Sequence, residues 1–461
     1  MPPTGPAPTP TRFSLDTSHV RGHTRHNLSS TLQGECVSSL TSAPVQHDAG
    51  AYPNISPKGK TLRRIFYFFC VVLSAFVLIV WLDGMLTRLP SLAGTPARGE
   101  RIGVIHVHTN ASCGSGTLPQ VITAAKDADL SFLAITDHNL TLSDAEVAAA
   151  DPPEFAVIDG EEVSTASGHY LALGVSASRW QRGTSYDTRA LMASSRAYGA
   201  VNFIAHPYGL HERWADWGAT DYDGIEIFND DAIWRKNKVF DIAIAALLYP
   251  VNSRLALLRL ARTPNENFAK WDELQAQRPV AGICGSDAHA NLLFNRWSIA
   301  HFPSYLSVFS LARQHVLLPE HPGQDPDKAG ADAILGAIQS GNSFCAIDAI
   351  APADGFTQSV TSAANVAAGP GNSIEWRPGE MLHIRAPAAA ERPTIRVLRD
   401  GREIAKLEAQ SLDLPIPGPG RYRTEAYLRQ PGLTGWRRWT LWIFSNPVYV
   451  TGSSDPHPQA H

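Results

Sequence analysis

Hydrophobic and polar positions change texture four times along the chain. Residues 1–57 carry Pro, Ser, Thr and Gly with almost no periodic apolar pattern, so burial cannot offset their ordering entropy and a disordered tail is expected over 1–60. Residues 65–82, IFYFFCVVLSAFVLIVWL, then run without a charge. As a helix at about 1.5 Å per residue this run spans roughly 27 Å, near the hydrocarbon thickness of a bilayer, and a transmembrane anchor is expected over 61–88. Beyond Gly103 the pattern alternates: IGVIHV, SFLAITD, FAVIDGEEV, HYLALGV, VNFIAHP, DGIEIFN and PVAGICGSD read as strands, and LPQVITAAKDA, LSDAEVAAA and DTRALMASSRAYG as helices. Ser143 and Glu146 form a capping-box pair, and a long helical region is expected from about Ala232 to Gln277, broken at Pro250 into two helices that pack on the barrel or cap it. After residue 350 the helical period disappears, and strands flanking the Asp400-Gly401 turn predict a small β-sandwich over 360–455 that packs on the preceding domain or binds a polymer.

Repeated β/α alternation implies parallel strands covered by helices, in a closed barrel or an open sheet, over 100–350. A chain of 461 residues with 44% hydrophobic content holds a sizeable core, and a net charge of −4 leaves no electrostatic footprint for nucleic acid. Five cysteines without CxxC spacing exclude a zinc knuckle or a dense disulfide framework; Cys113 and Cys284, both near site strands, are candidates for one disulfide in an oxidising compartment. Lys58, Lys60, Arg63 and Arg64 precede the apolar run, whereas Arg88 stands alone just after it. The positive-inside rule therefore puts the tail in the cytoplasm and the large domain outside, on the periplasmic side, with a cleaved signal peptide as the rival.

The chemically distinctive residues close one strand after another. His106 and His108 end the first, Asp137 and His138 the second, Glu161 and Glu162 follow FAVIDG, His206 ends NFIAH, and Asp287 and His289 end AGICGSDAH. Strand ends of a (β/α) barrel converge on one rim, whereas an open sheet would spread them. Such His, Asp and Glu donors suit Zn²⁺, Mn²⁺ or Fe.

In this order HVHTNAS, AITDHN, DGEEVS, AHP and GSDAH resemble the polymerase and histidinol phosphatase (PHP) superfamily over about residues 101–350. The resemblance implies an α/β fold, a distorted (β/α)7 barrel, holding two or three divalent metal ions. It implies that His106, His108 and Asp287 hold a first metal, that Glu162 bridges to a second completed by His206 and His169, and that His138 and His289 belong to a third. Glu161, adjacent to Glu162 on a strand, is expected to point away. Many members carry Asp or His after the serine equivalent to Ser112, where this chain has Cys113; Gly114 and Ser115 replace that ligand poorly, so a weak or empty third site is expected, with a Cys113 thiolate as the lesser alternative.

The function this implies is a membrane-anchored, metal-dependent phosphoesterase that hydrolyses a small-molecule or polymer phosphate mono- or diester with a metal-activated hydroxide. Asp287 is the expected proton acceptor, Asp137 a further catalytic or ligand-orienting group, and His211 and Arg296 candidate anion-binding residues. Glu226 either orients a ligand histidine or faces out of the barrel. Two alternatives stand beside this: an amidohydrolase or esterase on the same metals, and a non-catalytic envelope binding module. No residue pattern points to a protein partner.

Overall fold

The computed structural model describes residues 57–150, 155–210, 212–291, 302–320, 325–362, 367–433 and 437–452. The tail expected over 1–60 lies almost wholly outside them. Helix α1 (Pro57–Leu86) contains the apolar run, and among the described residues it is the one helix long and apolar enough to cross a bilayer. Almost all of its apolar window is exposed, as suits a helix surrounded by lipid. Its last turns are tied to the globular part: fully buried Asp83 accepts from Arg259 Nη2 at 2.9 Å and from the Leu433 backbone N–H at 2.7 Å.

Seven strands follow: β1 (Glu100–Val107), β2 (Phe132–His138), β3 (Ala156–Thr165), β4 (Gly168–Leu173), β5 (Val201–Ile204), β6 (Gly224–Asn229) and β7 (Ala281–Ala288). Each pairs with the next and β7 returns to β1, which closes the barrel. Apolar side chains such as Ile105, Phe132, Ile158, Leu171, Phe203 and Ile283 are buried within one core cluster. All pairings are parallel except those of β4, which runs against both β3 and β5. The expectation of uniformly parallel strands is thus corrected at HYLALGV. Thr165 pairs with Gly168 across a two-residue turn, and Gly168 adopts φ 113, open to glycine at little steric cost. The reversal puts the start of β4, and therefore His169, on the rim where its neighbours end.

Helices α2 (Leu118–Asp127), α3 (Asp144–Ala150) and α4 (Thr188–Ala197) lie between the strands. The expected capping box at α3 is present: Glu146 Oε2 accepts from the Ser143 N–H at 2.9 Å, and Ser143 Oγ accepts from the Glu146 N–H at 3.3 Å. The region expected to be helical from 232 to 277 is four helices, α5 (Asp230–Arg235), α6 (Val239–Leu248), α7 (Ser253–Leu260) and α8 (Asn265–Gln275), with Pro250 between α6 and α7.

Helix α9 (Tyr305–Phe309), β8 (Arg313–Leu317), α10 (Ala331–Gln339) and β9 (Ser343–Ala346) complete this half. The remaining strands are β10 (Thr357–Thr361), β11 (Ala367–Ala368), β12 (Ser373–Glu375), β13 (Met381–Arg385), β14 (Thr394–Arg399), β15 (Arg402–Glu408), β16 (Ser411–Pro415), β17 (Gly420–Arg429), β18 (Trp439–Ser445) and β19 (Val448–Thr451). They form two sheets. β10, β11, β13 and β16 make one; the other is continuous with the barrel, because β8 pairs with β1, β9 with β8 and β18 with β9. Asn446 adds a side-chain bridge, its Oδ1 accepting from Gly282 N at 2.7 Å and its Nδ2 donating to Gly282 O at 3.0 Å. A disulfide joins Cys284 on β7 to Cys345 on β9, with Cα atoms 5.9 Å apart. The pairing of Cys284 with Cys113 is therefore corrected: Cys345 takes that place, and Cys113 is free.

Candidate metal centre

The rim gathers its histidines and acids through strained backbone. His106, His206 and Asp287 adopt φ of 67°, 26° and 50°, a region that non-glycine residues occupy only where the surroundings hold them, often at functional sites. His106 sits where the register of β1 shifts against both β2 and β7, so a bulge sets its direction as much as the simple alternation of strand side chains.

Glu162 is the centre of the cluster. Its Oε2 lies 3.1 Å from His106 Nε2, 3.2 Å from His108 Nε2 and 3.1 Å from His138 Nδ1, while its Oε1 lies 2.7 Å from His169 Nδ1 and 2.8 Å from His206 Nε2. One carboxylate thus faces two groups of donors. Asp287 Oδ1 joins the first group, 3.4 Å from His106 Nε2 and 3.3 Å from His108 Nε2. At this rim four sets of potential ligand atoms fall within 4.8 Å of one another: His106, His108, Glu162 and Asp287; His138, Glu162 and His169; His169, His206 and Glu212; and His108, Cys113, His138 and His289.

Buried partners aim these rings. Glu226, fully buried, accepts from His106 Nδ1 at 2.7 Å through Oε1, and from the His206 N–H at 2.6 Å and Asn229 Nδ2 at 2.9 Å through Oε2. With Nδ1 donating to a carboxylate, His106 presents Nε2 to the cluster, the arrangement found behind metal-bound histidines. Glu226 therefore faces inward, and Gly285 makes its room: a Cβ there would stand 1.9 Å from Glu226 Oε1.

Asp137 turns toward the loop after β1. Its Oδ1 accepts from the Thr109 N–H at 2.8 Å and from Ser112 Oγ, and its Oδ2 accepts from Thr109 Oγ1 at 2.7 Å. Both oxygens are committed to the 109–112 loop. Glu161 faces away from the cluster, 3.9 Å from Arg182, and burial pushes its carboxyl up to about 7 against that positive charge. His211 and Arg296 lie outside the described residues.

Two groups escaped the sequence reading. Glu212 reaches His169 Nδ1 at 3.2 Å, and only the loop after β5 brings it there. Asp230, at the start of α5, is buried with no hydrogen-bond partner on either oxygen and lines a pocket with Asp287, His289 and Trp234. Burial, then the charges of Asp287, Asp231 and Glu226, raise its carboxyl well above the usual range. Cys113, which the sequence puts after Ser112, is drawn among His108, His138 and His289.

Charge in the cluster is tightly compensated. Burial opposes ionisation of Glu162 and Asp287, yet surrounding imidazoles hold both well below the ordinary carboxylate range. Burial likewise disfavours the His206 cation, but the Glu162 hydrogen bond and charge lift it to about 9. His106 Nε2, His108 Nδ1 and Nε2, His138 Nδ1 and Glu162 Oε2 are buried without hydrogen-bond geometry to any neighbour, although the ion-pair distances are short. Donor atoms that converge without bonding one another fit divalent cations between them, and the imidazole and carboxylate set suits Zn²⁺, Mn²⁺ or Fe.

No family model matches the sequence, and no curated protein does. Among solved structures, the chain is similar to a two-domain protein from Bacteroides vulgatus described as containing a predicted PHP-like metal-dependent phosphoesterase, at 14% identity and TM-score 0.37, over 74% of this chain and 93% of that one. It is also similar to a metal-dependent phosphoesterase from Bifidobacterium adolescentis at 15% identity and TM-score 0.28, over 42% of this chain and 89% of the other. An amidohydrolase from Chromobacterium violaceum, with bound sulfate and no metal, matches at 17% identity and TM-score 0.27, over 41% and 87%. These likenesses are distant, and the chemistry of the barrel is carried by its own side chains.

Proposed function

We propose that the chain is a membrane-anchored, metal-dependent phosphoesterase. The observation that carries the reading is the division of Glu162, one oxygen toward His106, His108 and His138 and the other toward His169 and His206, with Asp287 closing the first set. Two divalent cations so placed would supply Lewis acidity and lower the pKa of a bound water toward about 7. Glu162 fixes their spacing. Glu226 keeps His106 in the tautomer with Nε2 free to ligate. Asp287, ionised and steadied by Asn229 Nδ2 at 3.3 Å from Oδ2, accepts a proton at its free lone pairs. A pocket beside His206 and Asn229 carries Lys236 and Arg262, ion-paired with Glu266 at 3.1 Å and Asp241 at 2.9 Å, acids that an anionic substrate group would displace.

The catalytic part lies outside the cytoplasm in this reading. The cationic flank before the apolar run supports that orientation, and the Cys284–Cys345 disulfide suits an oxidising compartment.

The test is hydrolysis of phosphate mono- and diesters by the detergent-solubilised chain loaded with Mn²⁺ or Zn²⁺. Turnover is expected in the wild type and lost in Asp287→Asn. A folded, metal-loaded wild type that turns over amides but no phosphate ester refutes the phosphoesterase reading. Protease applied to cells and to inverted vesicles reports which side the globular part occupies.

A further inference from the structure

The loop after β1 holds a sulfur where the rest of the rim offers nitrogen and oxygen. Cys113 is half-buried, and its Sγ belongs to one cluster with ring nitrogens of His108, His138 and His289, all within 4.8 Å of one another. Tetrahedral zinc with bonds of about 2.0–2.3 Å places its ligands roughly 3.3–3.8 Å apart, so small side-chain shifts close the set. A second observation is independent of the cysteine. His108 is fully buried with no hydrogen-bond partner on either ring nitrogen, and buried His138 Nδ1 lacks one as well.

The sulfur is held there by the fold. Asp137 fixes Thr109 and Ser112, the Gly114 N–H donates to Thr109 O at 2.9 Å, and the Ser115 N–H donates to His289 O at 2.9 Å. Tyr305 Oη donates to His108 O at 2.8 Å and accepts from the Gly116 N–H at 3.2 Å, closing the loop against β1 and β7. At Gly114 a Cβ would meet His108 O at 2.4 Å, so the loop passes where no larger residue fits. The rings stack as a unit, His108 on His289 at 4.2 Å and on His138 at 4.7 Å.

We propose that Cys113 is a thiolate ligand which, with His138, His289 and His108, forms a sulfur-containing metal site beside the carboxylate-rich set of Glu162 and Asp287. Thiolate and imidazole favour Zn²⁺ over Mn²⁺, whereas carboxylate-rich sets accept harder ions. The rim therefore carries two chemically distinct kinds of site, one selective for a softer metal. This inference rests on the reading of the rim as a metal centre. It also reverses the expectation of a weak third site, because the residue in place of the Asp or His is itself a donor.

The test uses the full chain in detergent, stripped by chelator and reloaded with Co²⁺, whose thiolate bonds give near-ultraviolet charge-transfer absorption separate from its visible d–d bands. The wild type is expected to show both. Cys113→Ser is expected to lose the charge-transfer band and keep visible bands, and to release one zinc equivalent to a competing chelator more readily by at least the ~10–100-fold that losing an outer partner produces. Cys113→Asp is expected to restore the equivalent with a shifted preference toward Mn²⁺. Visible bands without charge transfer in the wild type overturn the thiolate ligand and leave the metal centre standing; no cobalt bound in a folded wild type overturns both. A charge-transfer band that survives in Cys113→Ser also overturns the proposal.

Discussion

Replacing Glu226 by Gln tests how the rim presents its nitrogens. Gln keeps the shape that Gly285 accommodates, yet exchanges one acceptor oxygen for an NH₂ group, and Glu226 faces only donors: His106 Nδ1–H, the His206 N–H and Asn229 Nδ2. If the amide oxygen stays with His206 and Asn229, the NH₂ faces His106 and turns Nδ1 into an acceptor. The ring proton then moves to Nε2, the nitrogen 3.1 Å from Glu162 and 3.4 Å from Asp287, and occupies the lone pair a cation would use. A hydrogen bond to a charged group contributes about 1.5–3 kcal/mol, which at about 1.4 kcal/mol per decade is a roughly ten- to hundredfold loss of metal affinity. Calorimetric titration of the stripped chain with Zn²⁺ measures the loss, and metal-free melting curves show whether the fold survives. Unchanged affinity in a folded Glu226→Gln variant refutes the tautomer argument and leaves Glu226 as a structural acid.

Other expectations are independent of the metals. His315 donates from Nδ1 to Glu100 at 2.8 Å and from Nε2 to Asp348 at 3.1 Å; burial works against its cation, but Asp348 and Glu100 raise it to about 9. Its folded value lies above the ordinary 6.5, so its contribution, on the order of 3 kcal/mol, is complete below pH 6.5 and is lost as pH rises through about 9; His315→Gln should flatten the melting temperature across that window, and an unchanged profile removes His315 as its cause. The Cys284–Cys345 disulfide closes a loop of 61 residues, so the double Ser variant should lose about 4 kcal/mol in denaturant unfolding, and a free-thiol count showing both cysteines reduced in the native chain would contradict the bond. Asp83→Ala leaves Arg259 buried without that partner and should destabilise the globular part by about 3–5 kcal/mol; unchanged denaturant unfolding would make the contact dispensable.

Much of this arrangement is legible locally. HVH, TDH, GEE, AHP and GSDAH mark strand ends, Ser143 and Glu146 announce α3, and Pro250 divides α6 from α7. The reversal of β4 was readable too, since STASG between two apolar runs is a hairpin signal that the β/α rhythm overrode. Glu212 and Asp230 carry no such mark: one is an acid in a loop, the other one of two consecutive aspartates, and only the closing of the barrel decides which carboxylate is buried. Cys345 lies 61 residues from its partner, and the pairing of β8 and β9 alone brings it near. Two cysteines close to the rim were the more visible pair and the wrong one.

Strand β1 has three neighbours. Its first half pairs with β8, its second half with β7, and its other edge with β2. The histidines of β1 precede Asp287 by roughly 180 residues, a delay of about 10–40 s at usual rates of chain elongation. Throughout that interval α1 and the HVH segment have been made while the strand that closes the barrel has not. The rim is therefore assembled last, and a cation that arrives early meets two histidines on an unclosed ribbon.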